Sequence, residues 1–357
     1  MAVITASQCG ERATGAEWAW FVYTVDGQAV AELTEARSRA LGFDLRGPAT
    51  AKFEIDGHSL QGAGLLELAC DLYVYRDREL LFRGRLGSTD DDLSADQHTT
   101  SWTAVDYRGM LDTRIYEIDT TYTNLPQADI AWAAVMIAQD GPGGPLGITR
   151  GPLQPAPVAR TELVEADTRV DEALDRFQDY ADGFEWWIDP ELRFQAYTWR
   201  GISRDDFPLA WGTTATAIRR SYDTTRFANW VRVRGGRPEG ADQDTPEPFA
   251  DRSANLAIRP EGRIARTVNN SDLKDQAAVN AAADQLLADS LNPPATYAVT
   301  LRPGIWRGAG DLWLGDTAPF VLRSGRLDIA TTARVNQLDI ALGDNGDETV
   351  ALTVGTE

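Results

Sequence analysis

Hydrophobic and polar positions alternate through residues 66–114 and predict an antiparallel β-meander. The first run places Leu68, Cys70, Leu72 and Val74 on one face and Asp71, Tyr73 and Tyr75 on the other, which is the period of a half-buried strand. Residues 80–86 and 99–107 repeat the alternation and predict two more strands. Asp90, Asp91 and Asp92 break the pattern, so we expect a solvated loop between these two strands.

The N-terminal part also carries strand patterns. Residues 18–25 alternate and then meet Asp26-Gly27, a strong hairpin signal. Residues 51–56 form another alternating run, whereas the arginine-containing residues 35–45 predict an irregular crossing. About six strands would precede Tyr107, enough for a small barrel or sandwich.

Helical spacing begins after Tyr116. Asn124 is expected to cap a helix with Pro126 in its first turn, and Thr168 is expected to cap a second helix that ends at Gly183. Residues 141–159, rich in proline and glycine, predict a long loop between the helices. Residues 184–188 and 192–197 predict a hairpin that follows the second helix.

The C-terminal part returns to β-structure. Residues 228–235 predict a strand with Asn229, Val231 and Val233 on one face and Trp230, Arg232 and Arg234 on the other. Ser271 or Asp272 would cap a third helix with an apolar face formed by Ala277, Ala278, Ala281, Leu286 and Leu287, and residues 292–294 would stop it. Strands starting at Tyr297, at residues 334–342 and at residues 350–354 would complete the chain.

The bulk composition indicates a folded protein of two or three domains. The chain has 357 residues, of which 43% are hydrophobic and 25% are charged. Its 54 acidic and 34 basic residues give a net charge of −20, which disfavours wrapping of nucleic acid through phosphate contacts. The excess of acidic residues either keeps the protein soluble or lines a passage through which another polyanion moves without binding.

Residues 1–15 have neither a basic start nor an apolar core, so we expect no cleaved signal peptide. No stretch is long and apolar enough to predict a membrane span. Cys9 and Cys70 are too few for a disulfide scaffold, and two free thiols in a protein assembled in the cytoplasm are expected.

The motifs of common enzymes are absent from the sequence, which predicts no catalytic residue, no metal site and no cofactor. The two histidines, His58 and His98, lie in polar surroundings, and no Gly-x-Ser-x-Gly elbow accompanies them. Two histidines and two cysteines match no zinc spacing. The glycines after Gly141 lack the lysine of a phosphate loop.

Paired carboxylates leave one enzymatic alternative open, glycoside hydrolysis. The candidates are the acidic cluster at Asp90 and Glu185, which stands beside Trp186 and Trp187, with Trp199 as a further sugar platform. A solvated loop and a hydrophobic core explain the same residues more simply. The turn at Asp344 does not fit a calcium loop well.

Several segments resemble the hub proteins of phage tails. Leu81-Phe82-Arg83-Gly84-Arg85 and Val105-Asp106-Tyr107-Arg108 with Leu111 look like the N-terminal barrel of that family. The helix and hairpin of residues 171–197 resemble its inserted domain, and residues 310–354 are similar to its last barrel.

The resemblance implies an α+β, mainly β fold with two tail-tube-like β-barrel domains and small inserted α/β domains. Residues 1–115 would form the first barrel, residues 116–205 the insertion, and residues 206–357 the second barrel with a helical insertion near residues 271–291.

The family further implies a structural protein of the virion tail tip. A homotrimer would continue the tail tube as a pseudo-sixfold ring, with a distal tail protein, the tube, the tape measure protein and a central fibre or other tip proteins as partners. Genomic DNA would pass through without specific binding. Asp90, Asp91 and Asp92 are the candidate partner-contact or lumen loop. A hub of a bacterial injection system would share the fold.

Overall fold

The computed structural model describes residues 16–95, 97–141, 143–155, 158–237, 246–254, 261–271, 273–291 and 295–356. Within these residues the chain is an α+β protein made mainly of β-strands, which confirms the predicted fold class. Cys70 is a buried free thiol. Cys9, the cap candidate Asp272 and the helix stop at residues 292–294 lie outside the described residues.

The strands are β1 Trp18–Thr24, β2 Ala29–Glu32, β3 Arg37–Asp44, β4 Thr50–Asp56, β5 Cys70–Arg76, β6 Glu79–Leu93, β7 His98–Asp106, β8 Thr120–Pro126, β9 Thr149–Gln154, β10 Ala159–Val164, β11 Glu185–Ile188, β12 Arg193–Tyr197, β13 Leu209–Ala210, β14 Ala215–Ser221, β15 Trp230–Gly235, β16 Phe249–Ser253, β17 Ala265–Asn270, β18 Thr296–Leu301, β19 Thr317–Ser324, β20 Leu327–Leu342 and β21 Glu348–Thr356. The helices are α1 Tyr107–Met110, α2 Gln127–Asp140, α3 Val170–Asp179 and α4 Gln276–Leu291.

The chain divides into two compact units. The first unit comprises Met1–Ile218 and Ala298–Val354, and the second comprises Arg219–Tyr297 and Gly355–Glu357. The domain boundaries predicted at residues 115 and 205 both fall inside the first unit. The division into two barrels and an insertion stays a prediction.

One large sheet runs through the first unit and combines strands from both ends of the chain. Its order is β14–β18–β21–β20–β3–β4–β7–β6–β5–β1–β2, and β19 pairs with β20 and β13. In the antiparallel pair of β3 and β20, Leu41 is opposite Ile340 and Phe43 is opposite Leu338. All four side chains are buried, so this pair contributes directly to the core.

The irregular crossing predicted for residues 35–45 is wrong, because most of this segment is strand β3. Its C-terminal half alternates in the ordinary way and buries Leu41 and Phe43. Its N-terminal half hides the pattern, since Ser38 has a φ of +48° and the register with β4 shifts between Arg37 and Ala40. A bulge therefore interrupts an otherwise regular strand.

The part of the first unit that follows β7 contains further sheets and a hydrophobic core. β8 pairs with β10, while β9, β12 and β11 form a second small sheet. The core between these sheets and helices α2 and α3 includes Leu174, Phe177, Phe184, Trp186 and Phe194. The hairpin predicted after the second helix is confirmed by the antiparallel pair of β11 and β12.

The long loop predicted for residues 141–159 is wrong in part, because it contains strand β9, which runs parallel to β12. Pro152 lies within β9, and proline is tolerated there because the strand is at the sheet edge. The register shifts opposite Phe194 and Ala196, as expected where a ladder hydrogen bond is lost.

The predicted caps of the first two helices are also wrong. Asn124 lies in β8 with a φ of +51°, and α2 begins directly after Pro126. Helix α3 begins after Arg169 without a side-chain cap, and the Val170 amide donates to the carbonyl of Arg114 at 2.9 Å. Backbone pairing with a neighbouring segment therefore determines where α3 begins.

The second unit contains a three-stranded sheet in the order β16–β15–β17 and helix α4. Val233, Ala250, Val279 and Ala283 form its small core. The predicted apolar face of this helix is wrong in part, since Ala277 and Ala281 are exposed while Leu286 packs against the core. So many alanines lie around α4 that the sequence does not define one hydrophobic stripe.

Candidate functional site

The predicted acidic loop is part of a long β-hairpin formed by β6 and β7. Asp90, Asp91 and Asp92 lie on β6, opposite Ser101, Thr100 and Thr99 of β7, so the loop assignment is wrong. The three aspartates are exposed. Because both faces of this part of the hairpin are accessible to water, its residues need not alternate between apolar and polar types.

The hairpin changes from buried to exposed along its length. Leu86 on β6 is fully buried, whereas Leu93 near the tip exposes 70% of its surface. Between them, the register with β7 shifts after Leu86 and resumes at Thr89. The distal part of β6 therefore forms an exposed edge of the sheet, because residues 99–101 of β7 pair with residues 90–92 of β6 on one side and with residues 54–56 of β4 on the other.

Hydrogen bonds hold the acidic part of the hairpin in place. Thr100 Oγ1 donates to Asp91 Oδ1 at 2.7 Å, and His98 Nε2 lies 3.1 Å from the same oxygen. These two contacts lower the pKa of the Asp91 carboxyl below its usual value. The His98 ring packs edge-on against His58 at 5.4 Å, and His98 pairs with Leu93, so both histidines lie at the tip end of the hairpin.

A buried ionic network anchors the root of the hairpin. Asp71 on β5 is 1% exposed and accepts hydrogen bonds from Arg85 Nε at 2.7 Å and from the Tyr107 hydroxyl at 2.6 Å. Arg83 approaches the same carboxylate at 3.4 Å. The sequence pattern assigned Asp71 to a solvated face, which is wrong. The two arginines of Leu81-Phe82-Arg83-Gly84-Arg85 were the available signal for its burial.

A second long hairpin is formed by β19 and β20. β19 pairs with residues 327–334 of β20, and the distal part of β20 carries no fully buried residue before Ala333. The same strand continues into the large sheet, where Val335, Leu338 and Ile340 are buried. Both long hairpins of the first unit thus combine a buried root with an exposed end.

Glu185, the enzymatic candidate, is engaged by an arginine. Arg334 donates to its two carboxylate oxygens at 2.8 and 2.6 Å, and the Arg200 amide donates to it at 2.8 Å. Trp186 is fully buried, and Trp187 stacks on Tyr197 at 5.3 Å. These carboxylate oxygens therefore serve structural hydrogen bonds.

Metal binding and membrane insertion are two further functions to which the described residues are relevant. No group of three or more histidine, cysteine, aspartate or glutamate side chains is arranged to hold a metal ion in this part of the chain. None of the helices that the structure describes has the length and apolar character needed to cross a bilayer.

Comparison with known proteins identifies the fold. No protein-family model and no curated protein matches the sequence. The structure is similar to prophage MuSo2 43 kDa tail protein from Shewanella oneidensis, with a TM-score of 0.69 and 13% identity, covering 95% of this chain and 98% of that chain. It is similar to the tail protein of Neisseria meningitidis MC58, with a TM-score of 0.64 and 15% identity, covering 95% and 97%.

A bacterial secretion protein also has this fold. The E. coli c3393 protein, a component of the type VI secretion system with structural similarity to the T4 phage tail proteins gp27 and gp5, gives a TM-score of 0.50 at 9% identity, covering 90% of this chain and 74% of that chain. The chain therefore shares the fold of phage tail proteins and of this secretion-system component.

Proposed function

We propose that this chain is a structural hub of a phage tail, placed at the distal end of the tail tube. The observation that carries the proposal is the fold shared with two tail proteins over 97% and 98% of their lengths. Segments of the sequence that resemble the hub family lie in the first strands, in the insertion and in the last strands. The similarity thus extends through the whole architecture.

The proposed assembly is a homotrimer in which two barrel-like regions of each subunit form a pseudo-sixfold ring. The two hairpins with exposed ends, β6–β7 and β19–β20, support this arrangement because each subunit would offer two similar elements to the ring. Closed cyclic symmetry lets such elements bury their exposed residues against copies of the same chain. Leu93 is the large apolar side chain that we expect to become buried at the first hairpin.

The charge distribution supports passage of DNA through this ring. The second unit contains 11 basic and 12 acidic residues, which leaves 23 basic and 42 acidic residues in the first unit. A lumen with excess negative charge repels the DNA backbone, so the genome and the tape measure protein would pass without adhering. Asp90, Asp91 and Asp92 would face either this lumen or a partner of the ring.

The proposed partners are the distal tail protein, the tail tube, the tape measure protein and a central fibre or other tip proteins. The proposed location is accordingly the virion tail tip. A hub of a bacterial injection system is the related alternative, and the similarity to the E. coli secretion protein favours it to a lesser degree. Glycan hydrolysis is disfavoured because Arg334 already binds both oxygens of Glu185.

The mass of the purified chain in solution tests the proposal. Light scattering after size exclusion should give three times the 39.1 kDa chain mass, and negative-stain images should show rings. A particle that stays at 39.1 kDa at all concentrations and hydrolyses a glycan in a substrate panel would contradict it.

A further inference from the structure

The first unit contains a cavity that the proposed function does not use. Its volume is about 140 Å³, and its walls combine apolar side chains with charged ones. Phe43, Leu81, Trp187 and Trp313 supply hydrophobic surface, while Asp106 and Arg200 are among the charged residues. The space is sufficient for a molecule of a few heavy atoms rather than for one water alone.

Arg200 is the guanidinium of this cavity that has no directly bonded partner among the described residues. Its guanidinium carbon lies 4.2 Å from the centre of the Trp187 ring, and its side chain makes no hydrogen bond or ion pair with any residue that the structure describes. Glu185 and Asp106 are the carboxylates that attract it, but Glu185 is held by Arg334 and Asp106 accepts from the Gly109 amide. Burial and the charge of Arg108 lower the pKa of Arg200 to about 9, so the side chain remains cationic at neutral pH.

The other charged groups of the cavity have partners. Asp189 accepts from Arg193 Nε at 2.8 Å and also from Gln195, and Arg108 donates to the Trp186 carbonyl at 2.9 Å and to Asp175 at 2.9 Å. Arg83 has a buried Nε–H without an acceptor among the described residues. The remaining carboxylates of the cavity are also engaged, since Asp44 accepts from Gln337 and from backbone amides and Asp106 accepts from the Gly109 amide, so no carboxylate of the cavity is bonded to Arg200.

We propose that the cavity binds one carboxylate group through the guanidinium of Arg200. A free guanidinium offers two parallel donors that match a carboxylate, and stacking on Trp187 holds them in one plane. The apolar walls suit the short alkyl part of such a ligand. They also disfavour phosphate and sulfate, whose additional charged oxygens would lack donors.

Thermal unfolding of the purified chain with added propionate tests this site. At constant ionic strength, propionate should raise Tm in a saturable manner, whereas chloride and phosphate should not. Arg200→Met should abolish the propionate-dependent rise. Arg200→Lys, which keeps the charge but loses the planar fork, should weaken binding by about tenfold. Arg326→Met, at an exposed arginine, is the matched control and should respond as the wild type does.

Equal propionate-dependent shifts in the wild type and both Arg200 variants, or equal shifts with phosphate, would overturn the proposal. If Arg200→Met does not fold, saturation-transfer difference NMR of propionate is compared between the wild type and Arg200→Lys. A weaker signal with Arg200→Lys supports the proposal, and equal signals overturn it. Titration of assembled particles identifies the source of the carboxylate. If propionate binds to the free chain but not to the assembled particle, the natural ligand is an acidic side chain of a partner. If propionate binds to both, the natural ligand is a free carboxylate.

Discussion

Arg334 on β20 binds both carboxylate oxygens of Glu185 on β11, at 2.8 and 2.6 Å. The guanidinium also lies 3.5 Å from the centre of the Trp199 ring and donates to the carbonyls of Arg200 and Gly315. A single arginine thus ties the sheet of the insertion to the large sheet. The pair is largely buried, with side-chain exposures of 13% and 9%.

Replacing Glu185 by glutamine should destabilise the first unit by about 3 kcal/mol, because Arg334 would keep its charge without a counter-ion. Urea unfolding followed by tryptophan fluorescence measures the loss. The exposed pair Arg323–Asp328 provides the control, and Asp328→Asn should cost less than about 1 kcal/mol. An equal, small effect of both substitutions would contradict the structural role of the Glu185 pair.

Asp106 predicts a specific pH dependence of stability. Burial raises its pKa from 3.8 to about 6, so the folded state binds a proton that the unfolded state has released. The corresponding stabilisation is complete below pH 4 and is lost as the pH rises through 6, by about 3 kcal/mol. Asp106→Asn still caps the Gly109 amide but cannot titrate.

The measurement is the urea midpoint of both proteins between pH 4 and pH 7. The wild type should lose more stability over this interval than Asp106→Asn. Asp175 and Asp339, whose pKa values are also raised by burial, contribute equally to both proteins and cancel in the comparison. Parallel pH profiles would contradict the assignment.

Gly84 should not tolerate alanine, because an added Cβ would lie 2.5 Å from the Val105 carbonyl oxygen in the neighbouring strand. Backbone on the opposite strand cannot move away without breaking the ladder, so Gly84→Ala should cost about 1–3 kcal/mol. Gly310→Ala, which meets no atom within 4 Å, is the control. The prediction fails if thermal unfolding finds the two variants equally stable.

The distal part of the β6–β7 hairpin should matter for assembly and little for folding. Asp90, Asp92 and Leu93 are exposed, so substituting them should change the unfolding free energy by less than about 0.5 kcal/mol. Leu93→Asp should nevertheless reduce the trimeric fraction in light scattering. Leu60→Asp, at a side chain 92% exposed outside the hairpin, is the control. Undiminished trimer in Leu93→Asp would remove this hairpin from the proposed interface.

Local pattern was enough to predict many strands, such as the hairpin of β11 and β12 and the strand that buries Val231 and Val233. In β12 and β15 the two-residue period is uninterrupted and one face is buried, whereas β11 is a short apolar run next to the Asp189-Pro190 turn. For the aspartates at residues 90–92 the local pattern predicted a loop, whereas the structure has a strand. They lie on a strand with both faces wetted, where sequence alternation carries no information.

The contacts that organise the candidate sites were beyond a local pattern. Glu185 and Arg334 are separated by 149 residues, and nothing in either neighbourhood indicates the other. The alternation within β5 placed Asp71 on the polar face. Its partners Arg83 and Arg85 lie on β6, and Tyr107 directly follows β7, so the pattern of β5 alone could not show its burial. The vacant donors of Arg200 likewise follow from the engagement of Glu185, which only the tertiary structure reveals.

Electron microscopy of the native particle, with an antibody or tag on this chain, tests the central claim most directly. The account predicts label at the distal end of the tail, with three copies of the chain arranged as a ring around a continuous lumen. Label on the capsid, or a copy that stands alone at the tail surface without a lumen, would contradict it.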